Sequence, residues 1–205
     1  MPQYLVTGGA GFIGSHLTAA LLARGDSVVV LDDLSGGNRK RVPDDVELVA
    51  ASVADEDAVT RVFRAHRFDG VFHLAAFAVE GISHAVKSFN YTSNLLGSVN
   101  VINAALRAGV TFLGFASSVA VYGHGRLPMR EDDVPRPADS YGNAKLAVER
   151  ELDITMRMQG LPYFVLRMHN VYGEWQNMRD PYRNAVTIFL NQIMRGNYSG
   201  GVEWR

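Results

Sequence analysis

The sequence has no cysteine and no long apolar run, and both absences limit what the protein can do. Without cysteine, disulfide bonds, thiolate catalysis and cysteine-ligated zinc are excluded. The histidines show no metal-ligand spacing either, so no metal site is expected. No apolar stretch reaches the roughly 18 residues of a membrane span, and the first four residues carry no positively charged signal-peptide region. The chain is therefore expected in the cytoplasm, without a membrane partner.

An excess of charge of one sign is also missing. The 20 Lys and Arg residues are matched by 21 Asp and Glu, which gives a formal net charge of −1. Binding along nucleic acid phosphates needs a basic patch, and the sequence predicts none, so no nucleic acid partner is expected. The one basic cluster, residues 39–41, is interpreted as a solvated loop.

Short apolar, β-branched runs alternate with segments of helical periodicity along the whole chain. The predicted strands are 4–6, 27–31, 47–49, 70–74, 111–116 and 162–166, and the predicted helices are 12–23, 57–65, 94–108, 141–158 and 185–195. Strands that are nearly continuously apolar and alternate with helices indicate a parallel sheet covered on both faces. The sequence therefore predicts an α/β fold with a doubly wound parallel sheet of Rossmann type.

Three glycines, Gly8, Gly11 and Gly14, lie between the end of the first predicted strand and the first turn of the first predicted helix. In a dinucleotide-binding turn the first glycine permits the tight bend, the second lets a pyrophosphate approach the backbone, and the third allows close packing of helix and strand. The helix would begin at Phe12 and Ile13, with its N-terminus facing the phosphates. A glycine-rich turn without a ligand is the alternative, and the position between strand and helix favours the cofactor site.

Asp32 follows Gly14 by 18 residues and ends the second predicted strand. A carboxylate there can accept hydrogen bonds from the adenosine ribose, and it would repel a 2′-phosphate. The sequence therefore favours NAD over NADP as cofactor. The alternative is an aspartate of an ordinary strand-end turn.

Four segments together resemble the extended branch of the short-chain dehydrogenase/reductase family, in its NAD-dependent epimerase/dehydratase group. They are TGGAGFIG at 7–14, HLAA at 73–76, Ser118 with YGNAK at 141–145, and RMHNVYG at 167–173. The resemblance runs over essentially the whole chain. It departs from the family at Ser52, which stands where the family usually has an aspartate against adenine.

The resemblance implies a set of site residues. Those expected to be catalytic are Ser118, Tyr141 and Lys145. Those expected to bind NAD are Gly8, Gly11, Phe12, Ile13, Gly14, Asp32, Ser52, Val53, Leu74, Ala75, Ala76, Tyr141 and Lys145. Those expected to bind substrate are Ser83, Ser118, Tyr141 and Asn170.

Tyr141 and Lys145 are four residues apart on a predicted helix and so share one face. A free tyrosine has a pKa near 10 and is a poor base at neutral pH. We expect the lysine ammonium and a bound nicotinamide to lower the pKa of Tyr141 and make it a general base. Surface exposure of both side chains is the alternative. Ser117 is the alternative to Ser118 as the catalytic serine. Ser118 is preferred because it precedes Tyr122 by four residues, as in the family.

The residues after Ser118 bear on the reaction. Val119 and Ala120 are apolar, whereas the family's dehydratases carry an Asp-Glu pair there and its decarboxylases a glutamate. The resemblance thus implies an epimerase that acts through a transient 4-keto sugar, with UDP-glucose or UDP-galactose as the first expected substrate. A non-catalytic NAD-binding or sensor module and a net dehydrogenase or reductase remain alternatives.

The resemblance also implies a domain organisation. Residues 1–180 would form the NAD-binding domain with the catalytic residues, and residues 181–205 would begin a small substrate-binding lobe that is otherwise largely absent. It further implies a homodimer, paired through the helices predicted at 94–108 and 141–158.

Overall fold

The computed structural model describes residues 1–125, 127–177 and 185–196. The chain forms two compact units, Met1–Met168 and His169–Arg205. The boundary predicted between residues 180 and 181 lies outside the described residues and stays a prediction.

The first unit contains one parallel sheet of six strands in the order β3-β2-β1-β4-β5-β6. The strands are β1 (Gln3–Thr7), β2 (Ser27–Asp32), β3 (Glu47–Ala50), β4 (Gly70–His73), β5 (Phe112–Ser118) and β6 (Tyr163–Met168). The order reverses between β1 and β4, and in doubly wound sheets ligands bind at the carboxyl ends of the strands at such a point. The predicted fold class is confirmed.

Helices connect the strands. They are α1 (Phe12–Ala23), α2 (Glu56–Ala65), α3 (Lys87–Tyr91), α4 (Gly97–Ala108) and α5 (Ser140–Gln159). A π-helical turn, Thr92–Leu96, joins α3 to α4, and 3-10 turns lie at Arg39–Arg41, Glu80–Ile82 and Val119–Tyr122. The second unit contains α6 (Ala185–Met194). Within the described part of the chain, no helix is long and apolar enough to cross a membrane.

The helix predicted at 94–108 begins earlier than expected, since helical backbone runs from Lys87 through α4. Asn94 therefore lies inside the π turn and is not a helix cap. Polar residues at 90, 92, 93 and 94 interrupt the apolar periodicity, so the sequence signal begins only after them.

Two apolar layers hold the sheet. The larger layer packs the face that carries Leu5, Val29 and Val71 against α2, α4 and α5. The other packs the opposite face, with Val6 and Val30, against α1. Leu5 and Val6 are both fully buried although they point to opposite sides, as expected for a central parallel strand covered on both faces.

Candidate active site

The glycine turn joins β1 to α1 at the carboxyl edge of the sheet. Gly8 has a φ of +71°, and a Cβ there would lie 2.7 Å from the backbone nitrogen of Ala75. A Cβ on Gly14 would lie 2.1 Å from the Gly8 carbonyl oxygen. Because both clashes are with backbone, these glycines let the turn, the loop after β4 and the start of α1 approach one another.

Gly11 is different, because the chain itself does not demand a glycine there. It has φ −75° and ψ −178°, which any residue adopts, and it directly precedes α1. A Cβ on Gly11 would meet only the Gly8 carbonyl oxygen, at 3.0 Å. The first helical amides, at Phe12 and Ile13, therefore follow a cap that has no side chain to cover them, which suits an approaching phosphate.

Asp32 is buried at the end of β2, and both of its oxygens hold backbone amides. Oδ2 accepts from the Ala10 N–H at 3.0 Å, and Oδ1 accepts from the Leu34 N–H at 2.8 Å. Burial raises the pKa of Asp32, and these two amides oppose that increase. Since a carboxylate oxygen can accept more than one hydrogen bond, the group can still receive ribose hydroxyls.

Ser52 and Val53 follow β3. The Ser52 hydroxyl accepts from the Ala54 N–H at 3.2 Å, and the Asn100 amide donates to the Val53 carbonyl at 3.0 Å. Asp55 caps α2 through the Ala58 N–H at 2.9 Å. Ser52 is thus part of the turn, and its contact with adenine stays a prediction.

Leu74, Ala75 and Ala76 follow β4 and lie beside the glycine turn. The Leu74 N–H donates to the Thr7 carbonyl at 3.1 Å, and the Ala75 N–H donates to the Thr7 hydroxyl at 3.2 Å. This loop is therefore fixed to the end of β1, next to Gly8. The sequence did not single out Thr7.

Tyr141 and Ser118 meet at the same edge of the sheet. Ser118 is the last residue of β5, and its hydroxyl is close enough to the Tyr141 phenol to lower the pKa of that phenol. Asp139 caps α5 through the Gly142 N–H at 2.8 Å, which places Tyr141 in the first turn of that helix. The phenol and the hydroxyl can therefore contact the same oxygen of a bound substrate.

Lys145 lies one turn further along α5 and is almost fully buried. Its Nζ donates to the Ala116 carbonyl at 2.8 Å, and it lies 4.7 Å from the Phe115 ring centre and 5.7 Å from the Tyr141 ring centre. Burial lowers the pKa of Lys145 to about 7, although the carboxylate of Glu149 opposes this change. The ammonium is thus only partly populated at neutral pH in the chain alone.

The lowering of the Tyr141 pKa was predicted for the site with nicotinamide bound and stays a prediction, since the chain by itself shows the opposite shift. Burial raises this pKa to about 12, the Ser118 hydroxyl lowers it, and the charges of Glu80 and Asp139 raise it. The lysine does not reverse the balance, because its Nζ is directed to the Ala116 carbonyl and its own charge is disfavoured by burial. Burial cannot be read from the four-residue spacing that motivated the prediction.

Ser117 has a different role from Ser118, which supports the choice made between them. Its hydroxyl donates to the buried carboxylate of Glu149. Arg167 on β6 holds the same carboxylate with contacts of 2.7 to 3.2 Å, and its guanidinium also donates to the Tyr122 hydroxyl at 2.8 Å. This cluster joins β5, β6 and α5, one helical turn of α5 after Lys145.

Glu149 was missed at the level of sequence, although its position four residues after Lys145 places both side chains on one face of α5. Its pairing with Arg167 across the sheet has no local sequence signal.

Buried side chains also hold the start of α5 and the loop after β4. The Asn94 amide bonds both the N–H and the carbonyl of Phe77, at 2.9 and 3.0 Å, and donates to Asn90 at 2.8 Å. Asn90 in turn donates to the Ser140 carbonyl at 2.9 Å. A π turn widens the helix locally, and here it contains the asparagine that reaches this loop.

The two other predicted substrate residues, Ser83 and Asn170, lie in different units of the chain. Ser83 is fully buried, and its hydroxyl accepts the Tyr141 N–H at 3.2 Å, so the role it shows is to hold α5. Asn170 lies in the second unit, after β6. Substrate contact of both residues stays a prediction.

Comparisons with known proteins bear on this arrangement. The model of the NAD dependent epimerase/dehydratase family matches residues 4–205. The chain belongs to this family. It is 40% identical over 173 residues to a UDP-glucose 4-epimerase of Azospirillum brasilense, an alignment that covers 84% of this chain and 50% of that protein. It is 37% identical over 200 residues to the UDP-glucose 4-epimerase of Streptomyces lividans, covering 95% of this chain and 60% of the relative.

Solved structures of the same family have the same fold. The UDP-glucose 4-epimerase of Thermotoga maritima, solved with UDP-glucose, matches with a TM-score of 0.91 at 36% identity, over 95% of this chain and 63% of that one. The UDP-glucose 4-epimerase of Thermus thermophilus, solved with NAD, matches with a TM-score of 0.88 at 40% identity, with the same two coverages. The chain therefore spans about half to two thirds of the length of these family members.

Proposed function

We propose that this chain carries the NAD-binding and catalytic part of a sugar-nucleotide 4-epimerase that acts on a UDP-hexose. The observation that carries the proposal is the pairing of the Tyr141 phenol with the Ser118 hydroxyl, beside Lys145, at the edge of the sheet that also holds the glycine turn. Relatives with the same fold are UDP-glucose 4-epimerases, which supports the choice of reaction.

The residues present fit NAD. Gly11 has no side chain before the free helical amides of α1, and the buried Asp32 carboxylate retains acceptor capacity at the end of β2. When bound, NAD would supply the acceptor and later the donor of a hydride at a sugar carbon. We assign the ribose and phosphate contacts to these residues, with the backbone of Leu74–Ala76 on the nicotinamide side.

The chain's own residues would manage the proton at the sugar hydroxyl. Tyr141 would take the proton from the 4-hydroxyl and return it later, while Ser118 orients the same oxygen. Burial disfavours the phenolate of Tyr141, and a positive charge close to the phenol would favour the loss of its proton. Val119 and Ala120 follow Ser118 in a 3-10 turn and offer no acid for elimination of water.

Incubation of the purified chain with NAD and a panel of UDP-sugars tests the reaction. We expect interconversion of two C4 epimers without net change of absorbance at 340 nm, and its loss in Tyr141→Phe. Tyr4→Phe is the matched control, because Tyr4 lies in β1 at the opposite end from the glycine turn. Net NADH release would point to a dehydrogenase, and bound NAD without any product would point to a non-catalytic module. Either result contradicts the epimerase.

Cofactor binding has its own test. We expect Gly11→Ala to fold with a loss of about 1 kcal/mol, because its methyl group lies 3.0 Å from the Gly8 carbonyl oxygen and alanine is a weaker N-cap than glycine, and to bind NAD at least tenfold more weakly. Isothermal titration with NAD measures the affinity, and thermal unfolding checks the fold. If a folded Gly11→Ala variant binds NAD with the affinity of the parent, the pyrophosphate does not bind at this position.

The proposal includes a homodimer and a cytoplasmic location, as the sequence led us to expect. Exposed apolar side chains on the π turn before α4 and on α5 support a helix-mediated pairing; they are Leu96, Ile154 and Met158. We expect sedimentation at twice the chain mass, and dissociation in Leu96→Glu but not in Val134→Glu, which changes an exposed loop residue. A parent that sediments as a monomer would contradict the pairing.

A further inference from the structure

A continuous chain of buried polar side chains runs from the end of β1 to the end of β4 and on to the helix of Asn94. The Thr7 hydroxyl lies 2.6 Å from His73 Nδ1, and His73 Nε2 lies 2.8 Å from the Ser98 hydroxyl. The Ser98 hydroxyl in turn donates to the main-chain carbonyl of Asn94 at 2.6 Å. Thr7, His73 and Asn94 have no exposed surface, and Ser98 has almost none.

The chemistry of these groups fixes where the protons are. The main-chain carbonyl of Asn94 can only accept a hydrogen bond, so the single Ser98 hydroxyl proton is directed to it. Ser98 Oγ can then only accept from His73, which requires a proton on Nε2. In a neutral imidazole the other nitrogen is unprotonated, so Nδ1 accepts from the Thr7 hydroxyl. The Thr7 oxygen is thereby left to accept the Ala75 N–H.

The surroundings oppose any charge on this histidine. Its ring stacks on Phe115 with centroids 5.7 Å apart, and the Lys145 Nζ lies over that same Phe115 ring. Burial, and next the charge of Lys145, lower the pKa of His73 to about 3. A protonated Nδ1 would also face the Thr7 hydroxyl as a second donor and turn that hydroxyl away from its present bond.

We propose that His73 is a positioning residue for the proposed NAD site: held as the neutral Nε2–H tautomer between Thr7 and Ser98, it fixes the Thr7 hydroxyl that carries the Ala75 amide. Through Ser98 and Asn94 the same chain reaches the backbone of Phe77. His73 thus lies between Thr7, which holds the Ala75 amide, and the turn that contains Asn94, whose side chain holds Phe77. The inference rests on the proposed function for its cofactor, but its hydrogen-bond order is a property of the chain alone.

The tautomer is tested in the cofactor-free chain by nitrogen NMR of protein labelled at its histidines, with assignment from His73→Gln. We expect a protonated Nε2 and an unprotonated Nδ1 for His73, unchanged between pH 8 and pH 5. An Nδ1–H tautomer, or a doubly protonated ring anywhere in this range, overturns the proposal.

The effect on the loop is tested with Thr7→Val, which keeps the shape of the side chain and removes its hydroxyl, and with Thr7→Ser, which restores it. We expect NAD affinity to fall about tenfold in Thr7→Val and to stay within about threefold of the parent in Thr7→Ser. Thr18→Val is the matched control, because Thr18 is equally buried and its hydroxyl has no partner among the described residues. We expect it to leave NAD affinity unchanged.

A merely structural threonine would lower the melting temperature in Thr7→Val and leave NAD affinity at the parental value, which overturns the proposal. Should Thr7→Val not fold, Ser98→Ala, which removes the acceptor of Nε2–H, is expected to weaken NAD binding in the same way, and parental affinity in that variant is equally contrary. Failure of the parent to bind NAD would count against the proposed function. The Ala75 and Phe77 amide signals would then decide the inference: they move in Thr7→Val if it holds and stay in place if it does not.

Discussion

Replacing the buried Lys145 by methionine should stabilise the protein at pH 6 and lose this advantage at pH 10. The unfolded lysine keeps its proton up to about pH 10.5, whereas burial allows the folded chain to keep it only up to about pH 7. Between these values the unfolded state binds more protons, so the parent's free energy of unfolding rises with pH. Methionine removes the titration, and the difference between parent and variant isolates it.

The structure sets the size of the effect. The two pKa values, about 7 and 10.5, differ by about 3.5 pH units, and each unit corresponds to about 1.4 kcal/mol, so the upper bound is about 5 kcal/mol. Methionine also loses the 2.8 Å hydrogen bond to the Ala116 carbonyl, which costs about 1 kcal/mol. We expect Lys145→Met to be about 2 to 4 kcal/mol more stable than the parent at pH 6. At pH 10 it should be slightly less stable.

Urea unfolding at the two pH values, followed by circular dichroism, measures this difference. Lys40→Met is the matched control, because Lys40 is exposed and its replacement should change stability little at either pH. A variant that is less stable than the parent by the same amount at pH 6 and pH 10 would refute the reasoning. It would mean that the ammonium is accommodated at no cost in the folded chain.

Three further changes test the fold around the site by the same unfolding assay. Arg167→Met leaves the Glu149 carboxylate buried without its cation and should lower the free energy of unfolding by about 3 kcal/mol. The double variant with Glu149→Gln should lose less stability. An equal or greater loss in the double variant would contradict a buried ion pair. Thr18→Val replaces a buried hydroxyl that has no hydrogen-bond partner among the described residues, and it should raise the free energy of unfolding by about 1 kcal/mol. A loss of stability would show a hydrogen bond of Thr18 that the structure does not contain. Gly14→Ala forces a methyl group against the Gly8 carbonyl and should cost about 3 kcal/mol, whereas Gly36→Ala, with no atom within 4 Å, is the control that should cost little.

Burial raises the pKa of Tyr141 and lowers the pKa of Lys145. Groups whose pKa values are shifted in this way are typical of active sites. If Lys145→Met is stabilised at pH 6 while activity is lost, the site's cost in stability will have been measured directly.

Local sequence patterns are enough to predict the order of the elements and the glycine turn after β1. Strand and helix periods are local, so the ends of most elements agree within one or two residues, and the glycine spacing is local as well. The same holds for Asp32 at the end of β2. The start of the α3–α4 segment was missed, because its polar residues are buried against a distant loop and leave no apolar period to read.

The effect of the surroundings on the site residues, by contrast, depends on contacts between distant parts of the chain. Whether Tyr141 is acidified depends on burial, which a four-residue spacing does not contain, and here burial raises the pKa. The pairing of Glu149 with Arg167, and the line from Thr7 through His73 to Ser98, join residues far apart in the chain. Such contacts exist only because parallel strands bring their carboxyl ends to one edge of the sheet, so no stretch of sequence carries their signal.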